Sequence, residues 1–202
     1  MAKKIVFYDL ETGGLDTREH PVIQIAAVST WADTLEPIEE FEVKVQFDVA
    51  DCSPEALEVN SFDPDIWKKD AVPKLVAMNG LKRFLSNHAS TKKIAKSGRP
   101  WYTARMAGHN AARFDHPFLI DWFKSADVFF TGGYRCLCTY QMAEWFFELS
   151  GIEEPKNLKL GTLAEHFGIS LPAEDAHDAL ADVRANVEVC KALREGLLKI
   201  HA

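Results

Sequence analysis

The sequence predicts an α/β domain built on a central mixed five-stranded sheet flanked by helices. Two patterns point there. Three strand-like segments occupy the first 48 residues, and from there to the C-terminus helical and strand-like stretches alternate, an order that lays helices against a mixed sheet. The size agrees: 202 residues, 47% hydrophobic and 26% charged, suit one domain over 1–202 that buries roughly 70% of its unfolded surface without disulfide staples.

Lys4 to Leu10 is nearly all apolar, with Ile5, Val6, Phe7 and Tyr8 in succession, and Val22 to Trp31 is a second apolar run. Both read as central strands. Phe41, Val43, Val45 and Phe47 alternate with polar partners over Glu40 to Asp48, as on an edge strand with one buried face. Ser53-Pro54-Glu55 opens a short helix through Val59, because Ser caps a helix and Pro is pre-set for its first turn. A helix from about Pro73 sets Leu75, Met78, Leu81 and Leu85 on one side, and a basic loop spans Ser90 to Pro100. A strand near Tyr102 to Gly108 follows, then a helix from about Phe114 to Ser125 and a strand over Tyr134 to Thr139. Helices over Tyr140 to Leu149 and Leu158 to Phe167 lead to a long C-terminal helix with Leu180, Val183, Val187, Cys190 and Leu197 on one stripe.

The net charge of −7 argues against a protein that binds nucleic acid merely by being basic. Its distribution says more. The 44 residues between Asp70 and Asp115 hold no acid and nine Lys or Arg, while all 30 acids lie elsewhere with the remaining 14 basic residues. A polyanion path fits that stretch, with Lys92, Lys93 and Lys96 on a mobile loop, although a solvated surface accounts for some of the charges. The four cysteines, Cys52, Cys136, Cys138 and Cys190, lack zinc-knuckle spacing, and Cys136 and Cys138 fit alternating positions of a strand. No run approaches the roughly 20 apolar residues of a membrane span, and no signal peptide is visible, so the chain is expected to be cytoplasmic with no membrane partner.

Asp9 and Glu11 end the first strand two residues apart, so the strand period places both carboxylates on one face, and Thr12-Gly13-Gly14 follows as a turn open to close approach. Alone, the pair also fits a solvated turn. Asp115 precedes Pro117 and shares a helix face with Phe118, Leu119 and Trp122, which fits a helix cap as well as a site residue. Small residues in His109-Asn110-Ala111-Ala112-Arg113-Phe114 clear space before it. Asp182 neighbours Val183 of the C-terminal stripe, with His177 five residues earlier and Asp178 placed to cap the helix.

In order, Asp9-Leu10-Glu11-Thr12-Gly13-Gly14, then His109-Asn110 through Phe114-Asp115, then His177-Asp178 through Asp182, resemble the three motifs of the DEDDh 3′-to-5′ exonuclease family. The resemblance extends through Ile23 to Val28, Ser53 to Leu57 with Asn60, and Leu158 to Ile169. It implies an RNase H-like fold and hydrolysis of phosphodiester bonds at the 3′ end of single-stranded nucleic acid, releasing nucleoside monophosphates. DNA is the first expectation, and an exoribonuclease or oligoribonuclease-like enzyme is the alternative. Two Mg²⁺ or Mn²⁺ ions are implied, in keeping with hard carboxylate oxygens. By resemblance, Asp9, Glu11 and Asp182 hold the ion carrying the attacking water, Asp9 bridges to the second, Asp115 supports that one, and His177 is the general base. Thr12, Leu15, Gln24, Asn110 and Phe114 are the expected contacts to the terminal nucleotide, Phe114 by stacking. A homodimer or a polymerase partner is left open. A non-catalytic binding module would not need four mutually repelling carboxylates, and a carboxylate-pair glycosidase would need only two and no metal.

Overall fold

The computed structural model describes residues 2–171 and 178–200. β1 (Lys4–Thr12) lies at the centre of the sheet, antiparallel to β2 (Val22–Trp31), which is itself antiparallel to the edge strand β3 (Pro37–Lys44). Beyond a 3-10 turn at Val49–Asp51 come three helices, α1 (Pro54–Val59), α2 (Pro64–Asp70) and α3 (Lys74–Asn87). β4 (Thr91–Ile94) then forms a hairpin with β5 (Pro100–Gly108). β5 runs parallel to β1 through Val6 opposite Met106 and Phe7 opposite Ala107. α4 (Asp115–Ser125) leads to β6 (Gly132–Cys138), parallel to β5, and α5 (Thr139–Ser150), α6 (Leu160–His166) and α7 (Ala179–Ile200) complete the chain.

The mixed α/β architecture is the expected one, with a sixth strand. The segment read as a basic loop is β4 and its turn: Thr91 to Ile94 pair with Thr103 to Pro100, and Ala95 and Arg99 close the hairpin through an N–H to carbonyl bond of 2.9 Å. Lys92 and Lys93 hid the strand, because both of them and Ile94 face solvent and leave no alternation of burial to read. α2 was also missed, although Asp63-Pro64 is a start signal: the Asp63 carboxylate accepts from the Asp65 and Ile66 N–H groups. The third strand begins earlier than expected, at Pro37, and past Lys44 only Val45 makes a bridge, to Val72.

Alternation along the strands divides the core. Val6, Tyr8 and Met106 face Met78, Leu81, Phe118 and Leu119 of α3 and α4. Ile5, Phe7, Val28 and Ala107 face Val183 and Val187 of α7. The rest of α7 buries Val189 and Leu193 against Phe146, Phe147 and Leu163 of α5 and α6. Burying one Val, Leu or Phe contributes about 1.5–3 kcal/mol, so these contacts fix how α7 sits across β1 and β2. Arg184 of α7 also donates from Nε and Nη2 to Glu40 of β3, at 2.9 and 2.5 Å. Cys136 and Cys138 are strand residues as expected, and all four cysteines are free.

Candidate active site

Residues 5, 7, 9 and 11 of β1 share one face by the strand period. Ile5 and Phe7 pack in the α7 cluster, and Asp9 and Glu11 continue the row to where α7 begins, meeting Asp182 in its first turn. One oxygen from each of these three carboxylates lies within 4.8 Å of the other two. Glu11 is buried, and Asp9 and Asp182 are half-buried. Asp178 is the helix cap expected of it: its Oδ1 accepts from Ala181 N at 3.0 Å. The positive end of the α7 dipole therefore faces the acids.

Asp115 arrives from the opposite side of the sheet. It is the first residue of α4, where the cap position is Phe114, and its Oδ1 accepts the Leu10 N–H at 3.2 Å instead of capping its own helix. The turn before it is held by Asn110, which adopts the left-handed conformation (φ 55°) and accepts from Arg113 N at 3.1 Å. Asn tolerates that conformation better than most residues with a side chain.

Burial is the first cause of the electrostatic strain here. It pushes Asp9 well above the usual carboxylate range, with Asp115, Glu11 and Asp182 adding repulsion. Glu11 is raised to about 8 by burial and then by the charge of Asp182. Asp115 is raised to about 7 by burial, against the pull of its backbone donors. Acids this crowded ionise together when cations lie among them. A donor set of carboxylate oxygens alone fits Mg²⁺ or Mn²⁺ better than zinc, which favours nitrogen and sulfur.

Beside the acids opens a cavity of about 480 Å³, lined chiefly by Leu10, Thr12, Leu15, Ala56, Val59 and Phe114, with Glu11 on its rim. Leu15 stands 83% exposed at its mouth, an unusual place for a leucine with no partner of its own. Phe114 packs on Phe118 with ring centres 5.1 Å apart. The wall is stitched to β1 by Asn60, whose Nδ2 donates to the Thr12 carbonyl at 2.9 Å, and by Ser53 N donating to Gly13 O at 2.7 Å. Gly13 is required there: a Cβ would come 2.5 Å from Cys52 Sγ and 2.8 Å from Pro21 Cδ.

Thr12, Leu15 and Phe114 thus gather beside Asp9, Glu11, Asp115 and Asp182. Gln24 is buried opposite Glu11 on β2, but its amide donates to Glu42 Oε1 at 2.8 Å and does not line the cavity. Asn110 is exposed at the turn leading to Asp115. Lys92, Lys93 and Lys96 sit on the β4 hairpin beside the first half of β5, far from the acids along the sheet. His177 lies outside the described residues. His109 is held neutral by burial, down to about 4, and packs on Tyr140. Sequence reasoning missed Ala56 and Val59 as cavity wall, and Tyr8, whose hydroxyl meets His116 Nδ1 at 2.8 Å behind Asp115. A tyrosine inside an apolar run and a histidine beside Asp115 were the available signals.

This six-stranded mixed sheet flanked by helices, with carboxylates gathered at the end of its first strand, is an RNase H-like fold. Residues 6–89 match the model of the exonuclease family that includes ribonuclease T. Among solved structures, the chain is similar to Escherichia coli exonuclease I in complex with a dT13 oligonucleotide (TM-score 0.77, 18% identity over 98% of this chain and 42% of that one). It is similar also to a zinc-bound E. coli exonuclease I complex with single-stranded DNA (TM-score 0.77, 18% identity, 100% and 42%). A third is the moderately thermophilic exonuclease I of Methylocaldum szegediense (TM-score 0.76, 23% identity, 98% and 42%). The chain spans 42% of the length of these exonuclease I structures. No curated protein matches it in sequence. Among the described residues no helix is long and apolar enough to cross a membrane.

Proposed function

We propose that this chain is a divalent-metal-dependent 3′-to-5′ exonuclease acting on single-stranded nucleic acid, with 1–202 forming one catalytic unit. The observation that carries the reading is the convergence of Asp9, Glu11 and Asp182 within 4.8 Å, beside Asp115, at the mouth of an apolar cavity. Asp9, Glu11 and Asp182 would hold one Mg²⁺ or Mn²⁺, and Asp115 with Asp9 a second. Such ions supply an activated water at neutral pH and offset the charge that grows on the scissile phosphate. The cavity receives the 3′-terminal nucleoside, its base against Leu15 and Phe114 and its sugar near Thr12. His177, placed by the sequence just before α7, takes the proton of the attacking water, a task its ordinary pKa near 6.5 suits. DNA is the favoured substrate, because the similar exonuclease I structures hold single-stranded DNA.

The test is a degradation assay on single-stranded DNA and RNA labelled at the 5′ end, with Mg²⁺ or Mn²⁺ and with chelator. A ladder shortening from the 3′ end that needs the metal, and is lost in Asp182→Ala, is the expected result. Undiminished cleavage in chelator overturns the metal reading, and faster loss of RNA than of DNA makes the enzyme an exoribonuclease.

A further inference from the structure

The acid-free stretch of the sequence has folded into something more definite than a basic loop. Across the β4 hairpin, the first half of β5 and β6 lies a groove of about 800 Å³. Its cations are Lys3, Lys4, Lys92, Lys93, Arg105 and Arg135, and no Asp or Glu lines it. None of the six pairs with an acid among the described residues, although Lys4 Nζ is occupied by His88 Nδ1 at 3.4 Å and by the Trp31 ring, 5.6 Å to its centre, so the free cations are the other five. Three of them, Lys3, Lys4 and Arg135, come from outside the acid-free stretch, so the fold gathers positive charge from three separate parts of the sequence. Two aromatic rings belong to the same lining, Trp101 and the 66% exposed Tyr134.

The groove is also aligned with the acids. Ala107 faces α7 in the same cluster as Phe7, and Arg105, two residues before it on β5, shares that face, so Arg105 points to the face of the sheet that carries Asp9 and Glu11. α7 packs mainly over β1 and β2, and the groove opens beyond it over β5 and β6. The lining runs from Lys93, opposite Trp101, to Leu137, opposite Ala107. At about 3.3 Å per residue that is roughly 20 Å of strand, pointing at the end of β5 from which His109 and the turn to Asp115 depart.

We propose that this groove is a second binding site for single-stranded nucleic acid, holding the strand several nucleotides upstream of the 3′ end by its phosphates, with bases stacking on Trp101 and Tyr134. The inference rests on the exonuclease reading for its ligand class. Cations without acidic partners along a track suit a polyanion whose charges repeat, and aromatic faces suit bases of any sequence. Lys96 lies at the hairpin tip, outside the lining, and drops out of the path.

The experiment is fluorescence anisotropy in chelator with labelled deoxythymidine oligonucleotides of about four and about twenty nucleotides, lengths that bracket a short single-strand site. Reading binding without metal separates this proposal from the nuclease reading, since failure to cleave does not touch it. The native chain should bind the longer strand much more tightly. For single strands log affinity falls by about 0.7 per phosphate contact for each log unit of salt, so Arg105→Gln with Arg135→Gln should flatten the slope by about 1.4 and cost about 25-fold at about 0.1 M salt. Arg105→Lys with Arg135→Lys should keep most of the slope, which separates charge from damage to the fold. Equal affinity for both lengths overturns the proposal. So does a slope unchanged in the Gln pair, or displacement of the longer strand by an acidic peptide at lower concentration than by unlabelled oligonucleotide.

Discussion

Glu11 carries the clearest chemical signature in the site. A carboxyl at about 8 in the folded chain, against about 4.3 for an unperturbed glutamate, keeps its proton on folding through a pH window where the unfolded chain has lost it. By linkage, stability falls as pH rises across that window, and Asp115, raised to about 7, acts in the same direction. In chelator the melting temperature should therefore drop between about pH 5 and pH 8. Mg²⁺ or Mn²⁺ should restore it far more at the upper end than at the lower, and a melting curve indifferent to both would remove the cation site. Asp9→Ala or Asp182→Ala should abolish cleavage yet melt no lower than the native chain in chelator, because each removes one of several crowded charges. His177→Ala should lower kcat by about 10² to 10⁴ while leaving metal-induced stabilisation intact. A wild-type kcat in that variant would return the segment to its capping role through Asp178.

At the scale of elements, the site is assembled by β1 and the two helices that start against it. Much of this was legible. The apolar run that makes β1 central also sets the period that carries Asp9 and Glu11 onto the α7 face, and Val183 and Val187 announce the stripe that brings Asp182 there. Arrangements that depend on long-range pairing were not legible: β4 is a strand because β5 lies beside it, and Gln24 is turned from the cavity by Glu42, eighteen positions away. Sequence spacing could not show either. The cavity wall has the same character, since α1 is tied to Thr12 by one side-chain bond from Asn60. Asn60→Ala leaves the buried Thr12 carbonyl without that donor and should cost about 1–3 kcal/mol in a urea titration. KM should rise more than kcat falls, because the wall acts on the terminal nucleoside and not on the scissile bond. An unchanged KM would make Asn60 a purely structural tie.

Over the whole molecule, charge is sorted by surface. The β4–β5–β6 flank presents six cations with no acid among them, and the opposite flank of the sheet ends in β3, where Glu39, Glu40 and Glu42 are all exposed. That outer strand has a consequence for how copies of the chain meet. An edge strand offers unpaired N–H and carbonyl groups to any passing strand, and charged residues along it are a common protection. Were two copies to join their sheets through β3, the glutamates of one rim would face those of the other. Continuation of the sheet from chain to chain is thereby discouraged on this side. Replacing the three glutamates by threonine removes the repulsion and keeps a residue that favours strands, so sedimentation at rising concentration should then reveal more self-association than the native chain shows.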